Sequence, residues 1–444
     1  MKKIMVCLLA LFLTCGLFAC GKKEPQTPPD DTTDPAEVGV EFETRDYKAD
    51  GQLYQGGTLR YPDSLWTAPE YEFDPSLDPT NETCKGVKAF FMESPVTYQG
   101  KPTKIMGYIG FPEGASETDK VPGIVLVHGG LGTAYPDWVK MWNDRGYAAI
   151  SIDTEGGQSR PENMMYSGLH DERNKYADDP VYTAGPTNNG FVIESAEKVG
   201  ESWMYHATSA VILANSLLRA DPRVDADRVG ITGISWGGII TCIVVGYDDR
   251  YAFAMPVYGS VGLNGSSATF SSFPSQLAQE TWDTVEPLKA STTPMLFLNS
   301  NRDEAFALDA TAKSFKAAQN GFMTIKNNYN HGQDYGATPG ELAVFADAVI
   351  GRDNQVIQVL QQPTKSFPTL KFRLGTDVTV ENVRLWYTTD AKPTPQASWD
   401  SRVVTLEEGA DSVNLVYPDD ATYAYVSFTY NLNLTMSTSL IKLV

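Results

Sequence analysis

The middle of the chain alternates short runs of apolar residues with stretches in which apolar residues recur every three or four positions. Short apolar runs rich in β-branched residues are typical of strands covered on both faces, whereas the longer spacing is typical of helices. The predicted strands are 87–92, 104–111, 123–127, 148–152, 228–234, 252–257, 295–298 and 324–328, and the predicted helices are 136–145, 207–218, 237–245, 308–319 and 339–350. This alternation predicts an α/β fold, a doubly wound and mostly parallel sheet with helices on both faces.

The flanking regions follow other patterns. Residues 39–87 are polar and rich in turn residues, which indicates an irregular wrap before a main domain at 88–352. After residue 352 the helical spacing ends, and the segments 367–374, 383–388, 412–417 and 423–430 alternate apolar and polar positions. Alternation of this kind predicts a smaller all-β sandwich domain over residues 360–444.

Two connections of the main domain are longer than the fold requires, namely 154–196 and 259–291. Both follow predicted strands at their carboxyl ends, where open parallel sheets bind their ligands. Long loops in a compact domain are commonly functional. We therefore expect both connections to wall a ligand site.

The first twenty residues are typical of a targeting signal, which we predict to be removed from the mature protein. Lys2 and Lys3 precede an apolar stretch, and Ala19-Cys20 is followed at once by polar residues. This ending resembles a bacterial lipobox, so Cys20 is predicted to carry a lipid and residues 21–38 to form a disordered tether. The expected location is the cell envelope, as an outer-membrane lipoprotein facing the periplasm or the surface. Phe18 is bulkier than usual at its position, which leaves plain signal-peptidase cleavage as an alternative.

Composition restricts the classes of partner. A net charge of −20 over 444 residues argues against nucleic acid, which requires clustered Lys and Arg. Behind the signal only Cys84 and Cys242 remain, too few for a disulfide framework. Cys242 lies in an apolar run and is predicted to be a core residue, with a Cys84–Cys242 bridge as the alternative. Neither His nor Cys pairs have metal-ligand spacing, so we predict no metal and no cofactor.

The central motif of the chain is Gly233-Ile234-Ser235-Trp236-Gly237, which lies between a predicted strand and a predicted helix. This is the sequence and context of a nucleophile elbow, in which a serine occupies a tight strand-to-helix turn of an α/β-hydrolase sheet. Side chains at 233 and 237 would collide with that turn. Ser235 is therefore the candidate nucleophile.

A serine nucleophile needs a general base and an acid that orients it, and in this fold the order along the chain is Ser, acid, His. His331 is the histidine that follows Ser235, and it lies just beyond a predicted strand. Asp303 follows the strand 295–298 and is the candidate acid, with the neighbouring Glu304 as the alternative. We predict a catalytic triad of Ser235, Asp303 and His331.

Stabilising the oxyanion requires backbone donors close to the nucleophile. The amide of Trp236 is one candidate, since it follows the serine. The glycine-rich run after His128 follows the strand 123–127 and offers the second donor, for which Gly130 is the first choice and Leu131 the alternative. His128 is then predicted to shape the loop, and His206 to be a packing residue of its helix.

The chain resembles the acetylxylan-esterase and dienelactone-hydrolase-like branch of the α/β-hydrolases, which grades into prolyl oligopeptidase-like enzymes. The segments that carry the resemblance are Asp153-Thr154-Glu155-Gly156-Gly157-Gln158-Ser159, Asp221-Pro222-Arg223-Val224-Asp225-Ala226-Asp227-Arg228-Val229-Gly230 and Pro294-Met295-Leu296-Phe297-Leu298. The C-terminal segment with Val383-Arg384-Leu385-Trp386-Tyr387-Thr388-Thr389-Asp390 looks like the β-sandwich of some lipoprotein members. The resemblance implies the same triad and the deacetylation of plant polysaccharide fragments. One departure is Gly130, where the best-known oligomeric acetylxylan esterases carry an aromatic residue.

Three functions follow from these observations. The first is a serine-dependent carboxylic-ester hydrolase, an acetylxylan-type carbohydrate deacetylase that works through an acyl-enzyme and takes a small-molecule or oligosaccharide ester. The second is a prolyl oligopeptidase-like serine peptidase, although the residues before 88 are too few for the large N-terminal propeller common in that group. The third is a non-catalytic glycan-binding lipoprotein in which aromatics such as Trp138, Trp282 and Trp386 stack on sugars.

Overall fold

A long mixed sheet runs through the part of the chain that this computed structural model describes, residues 39–43, 45, 47, 59–166, 172–267, 269–283 and 285–444. The predicted signal peptide with Cys20 and the tether at 21–38 lie outside the described residues. The strands are β1 Tyr71–Phe73, β2 Lys88–Tyr98, β3 Lys101–Gly110, β4 Val121–Val127, β5 Ala148–Ile152, β6 Gly157–Gln158, β7 Glu172–Arg173, β8 Val224–Ile234, β9 Ala254–Val257, β10 Met295–Ser300, β11 Gly321–Lys326, β12 Ile357–Gln361, β13 Thr369–Leu374, β14 Val380–Thr388, β15 Asp400–Val403, β16 Ser412–Asn414, β17 Tyr423–Tyr430, β18 Leu434–Ser437 and β19 Ile441–Lys442. The helices are α1 Pro136–Asp144, α2 Trp203–Ala220, α3 Trp236–Val244, α4 Gln276–Trp282, α5 Val285–Ala290, α6 Leu308–Ala317, α7 Gln333–Ala337 and α8 Gly340–Val349.

The order of strands in the main sheet is β1-β2-β3-β5-β4-β8-β9-β10-β11-β18-β17-β14-β15. The six strands from β5 to β11 in this order are parallel neighbours, and the strands on either side join antiparallel. The carboxyl ends of the parallel strands therefore meet along one edge, where such sheets place their ligand sites. The predicted α/β-hydrolase fold class is confirmed.

Both faces of the central strands are buried. In β4, Val125 and Val127 enter an apolar layer shared with α2 and α3, whereas Ile124 and Leu126 enter the opposite layer, shared with α1 and α8. Successive side chains of a strand point to opposite faces, so a strand covered on both sides must be apolar at consecutive positions. This explains why the central strands read as continuous apolar runs.

The C-terminal strands extend the main sheet. Strand β18 pairs antiparallel with β11 through Ser437 and Met323, and a separate sheet of β12, β13 and β16 lies over the extension. Between the two sheets, the rings of Phe372 and Phe428 are 5.0 Å apart. The described residues between Gly39 and Val444 form one compact unit. The boundary of a separate sandwich domain at residue 360 stays a prediction.

Two further observations concern cysteines and helices. Cys84 and Cys242 are both buried and free, so the alternative of a bridge between them is wrong.

No helix among the described residues has the length and apolar character that crossing a membrane requires.

Candidate active site

Ser235 lies on the sharp turn between β8 and α3. Its φ of +57° is uncommon for a residue with a side chain, and such strained backbone concentrates at functional sites. A Cβ atom on Gly233 would overlap the carbonyl of Gly237, and one on Gly237 would overlap the carbonyl of Val127. The turn therefore requires glycine at both positions, and it presents the Ser235 side chain at the carboxyl edge of the sheet.

A continuous series of hydrogen bonds joins three side chains from distant parts of the chain. Nε2 of His331 is 2.9 Å from Oγ of Ser235, and Nδ1 of His331 is 2.7 Å from Oδ2 of Asp303. The other oxygen of Asp303 accepts hydrogen bonds from the amides of Ala305 and Phe306, at 2.9 and 2.6 Å. The structure thus brings together Ser235, Asp303 and His331, whose catalytic roles stay a prediction.

The alternative acid occupies a different position. Asp303 is buried, with 2% of its surface exposed, whereas the side chain of Glu304 is exposed. The backbone carbonyl of Glu304 accepts a hydrogen bond from the amide of Thr269. The geometry therefore favours Asp303 over Glu304 as the partner of the imidazole.

Asn301 ties together the loops that carry Asp303 and His331. Its Oδ1 accepts from the amide of Asn328 at 3.0 Å, and its Nδ2 donates to Oδ1 of Asn327 at 2.7 Å. The same Nδ2 lies 3.3 Å from the hydroxyl of Tyr425 in β17. A buried amide with these partners fixes the two loops relative to each other and to the C-terminal strands.

Tyr258, at the end of β9, supports the imidazole directly. Its ring centroid is 4.9 Å from that of His331, and its hydroxyl donates to the carbonyl of Asn330 at 2.8 Å. The φ of Tyr258 is +55°, so its backbone, like that of Ser235, is strained. These contacts restrict the imidazole to the orientation in which it reaches Ser235.

The glycine-rich loop after β4 lies against the elbow, and its amides have different partners. The amide of Gly129 donates to Oε1 of Gln333 at 3.0 Å. The amide of Leu131 donates to Oε1 of Glu155 at 3.1 Å. The amide of Gly132 donates to the carbonyl of Gly129. Within the described part of the chain, the amide of Gly130 has no acceptor. This favours Gly130 over Leu131 as an oxyanion donor.

Trp236, whose amide is the other predicted donor, is the first residue of α3. Amides in the first turn of a helix have no acceptor within that helix, so they are available to a bound anion. A Cβ atom on Gly130 would lie 2.6 Å from Cδ1 of Trp236, which shows how closely the loop approaches the indole.

The side chains of the other described histidines, His128 and His206, have partners other than Ser235. Nε2 of His128 accepts from the amide of Thr154 at 3.0 Å, so Nδ1 carries the proton and donates to the carbonyl of Gly129 at 2.6 Å. His206 is buried on α2 beside the ring of Tyr98, and burial lowers its pKa to about 4. His170 lies outside the described residues.

A cleft of about 250 Å³ opens in front of Ser235. It is lined by residues 129–132 of the glycine-rich loop, by Tyr135, by His331 and Gly332, and by Gln333 at the start of α7. Beside the cleft, the indole of Trp236 contacts Phe191 and Phe270, at centroid distances of 5.1 and 5.3 Å. These phenylalanines come from the two long connections, whose described parts therefore adjoin the elbow.

Four contributors to the site were not among the predicted site residues, namely Glu155, Tyr258, Asn301 and Gln333. Each is a polar or aromatic residue shortly after a strand end or after His331. That position along the sequence is a weak signal, because many loop residues share it. Of the aromatics named as sugar-stacking candidates, Trp138 and Trp282 are fully buried and Trp386 is partly buried.

Two family models match the chain. The model of Acetyl xylan esterase (AXE1) matches residues 56–261, and the model of the Prolyl oligopeptidase family matches residues 197–341. The first range includes Ser235 and the glycine-rich loop after β4, and the second includes Ser235, Asp303 and His331. Together with the fold, these matches define the class: the chain is a serine hydrolase of the esterase type.

Comparison with individual proteins gives remote likenesses. No curated protein matches the chain in sequence. An acetyl xylan esterase from Paenibacillus sp. R4 is 16% identical over 61% of this chain and 86% of that chain, with a TM-score of 0.45. Acetyl xylan esterase 1 from Thermoanaerobacterium sp. is 15% identical over 69% and 99%, with a TM-score of 0.44. An acylaminoacyl peptidase from Pyrococcus horikoshii is 16% identical over 53% and 36%, with a TM-score of 0.36.

Proposed function

We propose that this protein is a carboxylic-ester hydrolase that removes acetyl groups from carbohydrate through an acyl-enzyme. In this proposal Ser235 is the nucleophile, His331 the general base and Asp303 the residue that orients it. The amides of Trp236 and Gly130 bind the oxyanion. The observation that carries the proposal is the hydrogen-bonded series from Asp303 through His331 to Ser235, set on a strained elbow at the carboxyl edge of the sheet.

The first half of the reaction transfers the acyl group to the enzyme. Oγ of Ser235 attacks the ester carbonyl carbon while Nε2 of His331 takes the hydroxyl proton. The carbonyl oxygen becomes an oxyanion, which the two backbone amides stabilise more strongly than the neutral carbonyl. The bond to the alcohol oxygen then breaks, and His331 gives its proton to the departing alcohol.

The second half releases the acid. Water attacks the acyl-serine carbonyl as His331 accepts one of its protons, and a second oxyanion forms in the same place. When the bond to Ser235 breaks, His331 returns the proton to Oγ. One ester and one water are thereby converted into one alcohol and one carboxylic acid, and the enzyme is restored.

The surroundings of Asp303 suit this cycle. A carboxylate oxygen that accepts hydrogen bonds from two amides is held in one orientation. Its second oxygen then accepts from Nδ1 of His331, which leaves Nε2 unprotonated and able to take the serine proton.

The proposal that the substrate is an acetylated carbohydrate rests on sequence similarity and not on the geometry of the site. That similarity comprises the match of the acetyl xylan esterase model to residues 56–261 and the resemblance of the segments around Asp153, Asp221 and Pro294. A prolyl oligopeptidase-like peptidase is the second candidate. It is favoured by the peptidase model, whose matched range spans all three residues of the proposed triad.

A direct substrate comparison separates the two candidates. Purified full-length protein is assayed with 4-nitrophenyl acetate, acetylated xylo-oligosaccharides and proline-containing peptide amides. We expect both esters to be hydrolysed, and Ser235→Ala to lose on the order of 10⁵- to 10⁶-fold in turnover. Ser366→Ala, an exposed serine in the turn before β13, is the matched control. Cleavage of the peptide amides alone would reverse the ranking, and wild-type turnover in Ser235→Ala would refute the proposal.

The location is also proposed. The lipobox-like ending at Cys20 supports attachment to the cell envelope by a lipid, with residues 21–38 as a spacer between the lipid and the folded unit. Replacing Cys20 by serine is expected to move the protein from the membrane fraction to the soluble fraction of cells. Unchanged fractionation would contradict the anchor and leave the ester hydrolase proposal intact.

A further inference from the structure

Gln333 joins the two loops that surround the nucleophile. It follows His331 by two residues, and its Oε1 accepts a hydrogen bond from the amide of Gly129 at 3.0 Å. Since a backbone amide can only donate, the carboxamide must turn its oxygen toward Gly129. The orientation of Gln333 is therefore fixed, with Nε2 pointing away from that amide.

The Nε2 group of Gln333 is buried and has no acceptor within the described part of the chain. Buried polar groups in proteins are almost always hydrogen-bonded, and the exceptions call for an explanation. Gln333 lines the same cleft as Ser235 and His331. An unpaired donor in that place is explained if the substrate supplies its acceptor.

The chemistry of the reaction indicates which part of the substrate supplies the acceptor for Nε2 of Gln333. His331 must pass its proton to the departing alcohol oxygen, so the alcohol part of the ester has to lie beside the imidazole. Gln333 is the first residue of α7, which directly follows the loop of His331. The carbonyl oxygen, in contrast, is assigned to the amides of Trp236 and Gly130.

We propose that Gln333 is a substrate-binding residue that selects the alcohol part of the ester, with Nε2 donating a hydrogen bond to a hydroxyl or ring oxygen of a sugar. This inference rests on the proposed ester hydrolase function and deepens it. A polyol offers several such oxygens, whereas a simple aryl alcohol offers none in the same arrangement. Gln333 would thus favour carbohydrate esters over aryl esters that carry the same acyl group.

The test compares two acetyl esters that differ in the alcohol, an acetylated methyl xyloside and 4-nitrophenyl acetate. The quantity measured is the ratio of their kcat/KM values in full-length wild type, Gln333→Glu and Gln333→Leu. Glutamate keeps an acceptor for the amide of Gly129 but has no N–H, and leucine has neither. Any effect on the shared acyl chemistry cancels in the ratio, including the effect of the charge introduced with glutamate.

We expect the ratio to fall about tenfold in both variants, the effect of one lost hydrogen bond. Gln319→Leu is the matched control and should keep the wild-type ratio, since that glutamine precedes β11 and donates to the carbonyl of Lys289. Labelling of Ser235 by a fluorophosphonate verifies that each variant retains a folded site.

An unchanged ratio in both variants overturns the inference, because Gln333 would then only support the loop at Gly129. In that case wild type still hydrolyses both esters, and the proposed function stands. If wild type hydrolyses neither ester and Ser235 remains unlabelled, the proposed function fails, and the inference about Gln333 fails with it.

Discussion

At the scale of single residues, the absence of a side chain at position 130 sets how closely the glycine-rich loop after β4 approaches the indole of Trp236. The indole of Trp236 lies against that glycine, and Phe191 and Phe270 hold the other parts of the ring. The indole is enclosed on several sides, so it has little room to move. The two proposed oxyanion donors, the amides of Gly130 and Trp236, thus depend on a contact that only glycine permits at position 130.

Replacing Gly130 by alanine places a methyl group 2.6 Å from Cδ1 of Trp236, so the loop must move and its amide with it. We expect kcat for 4-nitrophenyl acetate to fall on the order of 10²- to 10³-fold, as when one oxyanion donor is lost. Gly200→Ala is the matched control, since nothing lies within 4 Å of its added Cβ. Wild-type kcat in Gly130→Ala would show that this amide is not a donor.

At the scale of elements, apolar runs predict the strands well where both faces are buried and less well where polar residues are buried. Strand β5 has the predicted bounds, 148–152. Strand β10 continues to Ser300, two residues beyond the prediction, because Asn299 is buried and donates to the carbonyl of Phe306 and to Oγ1 of Thr311. Sequence periodicity does not reveal that a polar residue has partners elsewhere in the chain.

The long connection over 259–291 shows a second limit of the pattern. It contains helices α4 and α5, which were not predicted. Both are short, and α5 includes Pro287, a residue that argues against a helix when the sequence is read alone. Helices of this length owe their stability mostly to packing, which local propensity does not report.

His206 in α2 is buried, so protonating its imidazole destabilises the folded protein relative to the unfolded chain. Burial lowers the pKa of His206 to about 4, from 6.5. As the pH falls below 6.5 the unfolded chain binds this proton first, so stability that is complete above pH 6.5 is lost toward pH 4. The expected loss is about 3 kcal/mol in the free energy of unfolding.

Replacing His206 by phenylalanine should therefore reduce the difference in unfolding free energy between pH 7 and pH 4, measured by urea denaturation, by about 2 to 3 kcal/mol. Tyr205→Phe, on the same helix, retains the histidine and should keep the wild-type difference. Carboxylates that titrate in this range contribute equally to all three proteins. A His206→Phe protein with the wild-type pH dependence would contradict the assignment.

At the scale of the whole molecule, the C-terminal strands are connected to the part of the chain that carries the site. Strand β18 hydrogen-bonds to β11, and the hydroxyl of Tyr425 lies near Asn301 between the loops of Asp303 and His331. The alternating sequence after residue 352 predicts strands but not their partners, since Met323 and Ser437 are far apart in the chain. For the same reason the sequence predicts the three residues of the proposed triad but not Gln333 or Glu155, whose contacts arise only in the folded protein.

Continuity of the sheet across β11 and β18 predicts cooperative unfolding. We expect one calorimetric transition for the full-length protein, with the calorimetric enthalpy equal to the van't Hoff enthalpy. A separate sandwich domain over 360–444 would instead unfold independently. Two resolved transitions would therefore support that domain boundary and contradict a single cooperative unit.

The identity of the nucleophile is tested most directly by covalent labelling. Full-length protein is treated with a fluorophosphonate, digested and analysed by mass spectrometry, with Ser235→Ala treated in parallel. The account predicts a single adduct on Ser235 that is absent from the variant and is prevented by denaturing the protein first. An adduct on another serine, or equal labelling of Ser235→Ala, would contradict it.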